Sequence, residues 1–143
     1  MPAASYGALV FTVALLAISA YFLIGGLPLL ILKHDVPLDA RFVRRFFEVY
    51  YLAAFWAAAG ASVSYALWGR EAFAAGMAVI AGSILILHRL VLRAMQDLGA
   101  RIEASSDLAI RGFRRVHATA LLANFAQLIG VVWGLIALSQ ALR

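Results

Sequence analysis

Four long apolar stretches run along the chain, and short polar segments separate them. They cover approximately residues 5–32, 46–68, 72–92 and 116–141. Each is long enough for a helix that crosses a bilayer, which needs about 20 predominantly apolar residues. The pattern therefore predicts an all-α, polytopic membrane protein. We expect a four-transmembrane-helix up-down bundle that forms a single domain over residues 1–143.

The apolar stripe of the third helix continues beyond its membrane span, at Val91, Met95, Leu98 and Ile102. A helix from Ala72 to Ala104 would be about 50 Å long at 1.5 Å per residue, whereas the hydrocarbon core is about 30 Å thick. We therefore expect helices three and four to extend into the cytoplasm around residues 93–115.

Composition agrees with a lipid environment, because 65% of the residues are hydrophobic and 13% are charged. That leaves too little polar surface for a water-facing domain. Four spans occupy nearly all of the 143 residues, so any active site must lie in the bundle or at its rim. The chain has no cysteine, which excludes disulfides, thiolate metal sites and cysteine nucleophiles.

Basic residues lie in or beside two connections, which therefore face the cytoplasm by the positive-inside rule. Both termini are then expected outside, and the expected location is a bacterial inner membrane. Charges beside membrane spans meet lipid headgroups rather than nucleic acid. Ten of the twelve basic residues lie in or beside these two connections: Lys33, Arg41, Arg44, Arg45, Arg89, Arg93, Arg101, Arg111, Arg114 and Arg115.

The chain carries a candidate internal repeat. Residues 41–60 and 111–130 share seven of twenty positions at a constant offset of 70. A duplicated two-span hairpin would give parallel repeats related by an axis along the membrane normal. The alternative is that a basic flank followed by an apolar helix recurs in any membrane protein of this kind. The sequence leaves both interpretations open.

Gly69 is predicted to end the second helix, and the third begins immediately afterwards, so these helices should be antiparallel neighbours. Small residues allow helices to approach closely in lipid. We expect this packing at Gly60, Ser64, Ala74, Ala78 and Gly82.

Ionisable residues lie inside three of the predicted spans, close to the cytoplasmic boundary. These are Glu48, His88 and His117. Because such residues are costly in lipid and usually face the bundle interior, we predict that they share one polar cluster. Asn124 and Gln127 lie on the same face of helix four as His117 and would extend the cluster inward.

Three interpretations of this cluster remain open. In the structural one, Glu48 pairs with Arg44 or Arg45, and the histidines bond across helices or meet headgroups. In the cofactor one, His88 and His117 ligate haem b, or bind a metal ion together with Glu48. In the transport one, the cluster is a proton or ion site at the mouth of a pathway.

Residues 112–124, GFRRVHATALLAN, resemble the pattern of small four-helix membrane proteins of the transmembrane protein 205-like family, a domain of unknown function. Residues 45–51, RFFEVYY, are similar to the N-terminal half of that family. The resemblance implies a four-helix membrane fold and no particular reaction. It favours His117 and Asn124 as important positions.

The function expected from these features is non-enzymatic: an interaction or accessory component of an inner-membrane assembly. Its partners would be membrane lipids and other membrane protein subunits, including a second copy of the chain. The alternatives are a haem- or metal-binding electron-transfer subunit and a small ion- or proton-coupled transporter.

Overall fold

The computed structural model describes residues 2–31, 37–103 and 107–141. The predicted end of the first span, Leu32, and Lys33 of the first basic connection lie outside these residues. Within the described ranges the chain is all-α, as predicted, and forms four helices: α1 (Pro2–Leu29), α2 (Pro37–Leu67), α3 (Glu71–Glu103) and α4 (Asp107–Ala141). All four are long and apolar enough to cross a membrane. The chain is an integral membrane protein.

Acidic residues stand at the start of three helices: Asp39 in α2, Glu71 in α3 and Asp107 in α4. A negative charge in the first turn interacts favourably with the positive end of the helix dipole. Arg101 lies in the last turn of α3, where the dipole favours a cation. These charges help to set where α2, α3 and α4 begin and where α3 ends.

The connection between α2 and α3 is a tight turn centred on Gly69, which has a φ of 76°. The Arg70 N–H donates to the Tyr65 carbonyl at 2.9 Å, and the Gly69 N–H donates to the Ala66 carbonyl at 3.0 Å. These two bonds are those of a Schellman motif, in which a left-handed residue closes the helix end. The predicted hairpin at Gly69 is confirmed.

The bundle has four corners. Helix α2 packs against α1 and α3, and α4 packs against the same two helices. Helices α2 and α4 therefore lie diagonally opposite, as do α1 and α3. Helix α2 contributes most to the core, and five of its side chains are completely buried: Val43, Phe47, Ala54, Ala58 and Ala61.

The outer surface of the bundle is apolar on every helix, with exposed residues such as Val10, Leu52, Val79 and Leu122. In water such a surface would cause aggregation, but lipid tails solvate it. The chain therefore folds with apolar residues both inside and outside.

The predicted packing residues of α2 face α1 rather than α3. A Cβ added at Gly60 would lie 2.7 Å from the Phe11 ring, and one added at Gly7 would lie 3.0 Å from the Ser64 hydroxyl. Close approach between α1 and α2 therefore depends on the absence of side chains at these two glycines.

The predicted packing residues of α3 divide between two faces. Ala74 is buried, as is Ala81 two turns later. Ala78 and Gly82 lie on the exposed face instead. Small size alone does not show which way a residue points, because the rotation of α3 is set by the helices it contacts.

Gly69→Ala is expected to lower the free energy of unfolding by about 1–2 kcal/mol, because alanine pays a steric cost in the left-handed region. The measurement is unfolding of the detergent-solubilised chain by sodium dodecyl sulfate, followed by circular dichroism. Gly82→Ala is the matched control, since a Cβ there meets nothing within 4 Å. Equal loss of stability in both variants would contradict the assignment of the turn.

Candidate functional site

Polar side chains are few in the interior of the bundle, and each of them needs a hydrogen-bond partner because it is buried. A polar group in lipid costs free energy unless it is hydrogen-bonded. The buried polar residues among those described are Thr12, Ser19, Ser64, His117 and Asn124.

Asn124 links three helices through its side-chain amide. The Tyr50 hydroxyl of α2 donates a hydrogen bond to Asn124 Oδ1. Asn124 Nδ2 in turn donates to the Ser19 backbone carbonyl of α1 at 3.1 Å. A single amide on α4 therefore ties α4 to its neighbour α1 and to the diagonal helix α2.

Every other pair of adjacent helices also has an interhelical hydrogen bond. Such bonds are among the forces that hold membrane helices together. They join Gln127 Nε2 to Ser83 Oγ at 2.8 Å, Thr12 Oγ1 to Tyr65 OH at 3.2 Å, and Ser62 Oγ to the Ala74 carbonyl at 2.9 Å.

His117 lies in the centre of the bundle and is fully buried. Its ring meets the Phe47 ring edge to face, with 5.0 Å between centroids. Phe47 is the residue that the 70-residue offset pairs with His117. One turn closer to the basic end of the bundle, the offset pairs Val43 with Phe113, and both of these residues are also fully buried. Equivalent residues meet each other at a two-fold axis, so this contact is what a duplicated hairpin would produce.

His88 occupies a different position, half-buried on α3. It meets the Tyr51 ring at 5.9 Å between centroids, and Tyr51 lies 6.2 Å from Phe47. Two aromatic rings, Tyr51 and Phe47, therefore connect His88 to His117 through successive ring contacts. The Tyr51 hydroxyl is buried, with no hydrogen-bond partner among the described residues.

Glu48 lies at the edge of the bundle with 41% of its side chain exposed, and forms a 2.7 Å ion pair with Arg45. The predicted pairing of Glu48 with a neighbouring arginine is confirmed for Arg45. Among the described residues, no group of three or more histidine, aspartate or glutamate side chains is placed to hold a metal ion.

The predicted polar cluster is thus divided. Asn124 and Gln127 share the inner side of α4 with His117, but they bond to different helices. His88 and Glu48 lie on the side of α2 and α3. The sequence pattern did not predict Tyr50 as a partner of Asn124. Tyr50 lies three positions after Phe47, however, and this spacing places Tyr50 and Phe47 on one helix face.

No protein-family model, no curated protein and no solved structure matches this chain.

Tyr50→Phe and Asn124→Leu should each destabilise the bundle, and the two losses should not add. Interhelical hydrogen bonds in membranes contribute about 0.6 kcal/mol on average and up to about 1.7 kcal/mol. We expect a coupling energy in this range from a double-mutant cycle measured by unfolding in mixed micelles. Tyr21→Phe is a control, because that tyrosine is 73% exposed. Strictly additive losses would show that the Tyr50–Asn124 bond contributes nothing.

Proposed function

We propose that this chain is a non-enzymatic interaction or accessory component of a bacterial inner-membrane assembly. The observation that carries the proposal is that polar side chains within the spans hydrogen-bond to other helices. Asn124, Gln127 and Ser83 hydrogen-bond across helices, so they hold the bundle together rather than converge on a substrate. What is then available to other molecules is the outer surface of the helices and the charged end of the bundle.

The charge distribution supports an orientation for the protein. Helix α2 begins, α3 ends and α4 begins at the same end of the bundle. The arginines of all three segments therefore gather there, and the positive-inside rule directs that end to the cytoplasm. Both termini would lie outside. Helices α3 and α4 have 33 and 35 residues, and each should project beyond the hydrocarbon region at the cytoplasmic end.

A surface suited to a partner helix lies between the outer halves of α3 and α4. A cavity of about 240 Å³ opens there, lined in part by Gly76, Gly130 and Gly134. A Cβ at any of these glycines would meet nothing within 4 Å. Helices approach closely in lipid where side chains are small, and a cavity of about 150 Å³ already accommodates a benzene-sized group. We assign the cavity to a large apolar side chain of a partner's transmembrane helix.

A family assignment remains a proposal as well. The resemblance of residues 112–124 to the transmembrane protein 205-like family is compatible with the four-helix bundle, and Asn124 is central to the packing of this chain. His117 is fully buried. Both positions that the resemblance favours therefore lie in the interior of the bundle.

A small proton- or ion-coupled transporter is the second candidate. His117, Asn124 and Gln127 lie along one side of α4, over about 15 Å at 1.5 Å per residue. The buried Tyr51 hydroxyl supplies a further polar group at this level. This candidate requires pH-dependent ion flux in liposomes that Glu48→Gln or His117→Leu abolishes, whereas the accessory proposal requires no flux.

Purification from the native membrane in mild detergent, followed by mass analysis of the intact complex, tests the accessory proposal. We expect the chain to co-purify with another membrane subunit. Gly76→Leu and Gly130→Leu should lower the recovery of that subunit about tenfold, since overpacking an interface costs 1–3 kcal/mol. Gly82→Leu is the matched control, because Gly82 is exposed on α3 outside the cavity.

Three outcomes would count against the proposal. A wild-type chain that is recovered without any protein partner would overturn it. Equal effects of all three leucine substitutions would show that the cavity is not the contact. A haem or metal in the intact mass, with a Soret band lost in His88→Ala or His117→Ala, would favour the electron-transfer alternative.

A further inference from the structure

A second cavity lies between α2 and α3 at the basic end of the bundle and has a volume of about 220 Å³. Arg41 and Arg44 line it from α2, and Gln96 lines it from α3. Met95 and Gly99 are among the residues that form its remaining walls. The cavity therefore combines two guanidinium groups and an amide with an apolar surface.

Arg44 is half-buried, yet no acidic side chain among the described residues lies within 4.0 Å of its guanidinium. Glu48, one turn further along α2, forms its ion pair with Arg45 instead. Glu48 interacts with Arg44 electrostatically, but a half-buried charge without a direct ion pair still costs free energy. An anion in the cavity would reduce this cost.

The 70-residue offset pairs Arg44 with Arg114, and the different surroundings of these two arginines explain why the cavity lies beside Arg44 only. Arg114 lies 70 positions after Arg44, and it donates to the Leu30 backbone carbonyl at the end of α1, at 3.3 Å. Carbonyls at a helix end lack partners within the helix and accept such bonds. The neighbour of Arg44 is α3, which continues to Glu103. Arg44 therefore lies beside helical residues such as Met95 and Gln96, whose backbone carbonyls are already bonded within α3.

We propose that this cavity binds the phosphate-bearing head group of an anionic phospholipid. The lining residues lie just beyond the predicted spans, at the level of the lipid headgroups. A guanidinium binds a phosphate through two parallel hydrogen bonds. Arg41 and Arg44 would hold the phosphate, Gln96 would bond to head-group hydroxyls, and Met95 would contact the glycerol and upper acyl region.

The site is independent of the proposed accessory role, because it requires only that the basic end of the bundle meets a membrane surface. Soluble phosphate esters carry the same phosphate group as the proposed lipid ligand and could also bind there. The apolar wall and the position beside the bilayer favour the lipid. Both sources can be compared on the same protein.

The test uses the full chain, purified in neutral detergent and titrated with phosphatidylglycerol, phosphatidylcholine or glycerol phosphate. Bound lipid is counted by mass analysis of the intact protein. Arg44→Gln removes the charge, and Gly99→Leu fills the cavity without changing the charge; a Cβ at Gly99 meets nothing within 4 Å. Each should weaken phosphatidylglycerol binding about tenfold: Arg44→Gln through the loss of a charge-assisted hydrogen bond, and Gly99→Leu through steric exclusion of the head group.

Two matched controls accompany these variants. Arg115→Gln removes an exposed charge from the same end of the bundle, and Gly82→Leu adds an exposed leucine to α3. Both should bind phosphatidylglycerol as the wild type does. Circular dichroism and gel filtration test whether each variant is folded. If Arg44→Gln is not folded, Gly99→Leu alone decides the result.

Several results would overturn the proposal. If Arg115→Gln weakens binding as much as Arg44→Gln, the lipid responds to net charge and not to this cavity. If phosphatidylcholine binds equally well, the head group is not selected. If glycerol phosphate competes as effectively as phosphatidylglycerol, the site takes a soluble phosphate ester and the lipid assignment is wrong.

Discussion

Helices surrounded by lipid gain little by burying apolar side chains against one another, because lipid tails are equally apolar. The bundle therefore depends on hydrogen bonds and close contact between helices. Each of the four adjacent interfaces carries a hydrogen bond between its helices among the described residues, and Tyr50 adds one across the diagonal to Asn124. Asn124 has the largest share, since the oxygen and the nitrogen of its single amide bond to two different helices.

This constraint explains how the polar residues of the chain are divided. Within the spans, polar side chains such as Gln127 and Ser83 bond to each other, since water is not available to them; the Tyr51 hydroxyl is an exception among the described residues. At the basic end, water and headgroups can solvate charged groups, so arginines there are not obliged to pair within the protein. Arg45 pairs with Glu48, whereas Arg44 lines a cavity. The interior holds the fold together, whereas binding is proposed at two places on its outside: a lipid at the basic end and a partner helix on the outer halves of α3 and α4.

The two hairpins combine similarity with divergence. Helices α2 and α4 bury equivalent positions and face each other across the bundle, as the contact between Phe47 and His117 shows. Their partners differ in length, because α1 has 28 residues and α3 has 33. One arginine of the equivalent pair therefore reaches the end of a helix and the other does not. A duplicated hairpin that later diverged would acquire two different environments in this way.

The sequence alone predicted the four helices, their membrane character, the turn at Gly69 and the pairing of Glu48 with a neighbouring arginine. Each of these depends on local composition or on residues within one turn of each other. Only the tertiary structure decided which groups meet: His88 lies beside Tyr51, and Asn124 bonds to Tyr50. The reason is physical, since a helix that is apolar on all sides carries no strong signal of its rotation in lipid. Packing against neighbouring helices sets that rotation.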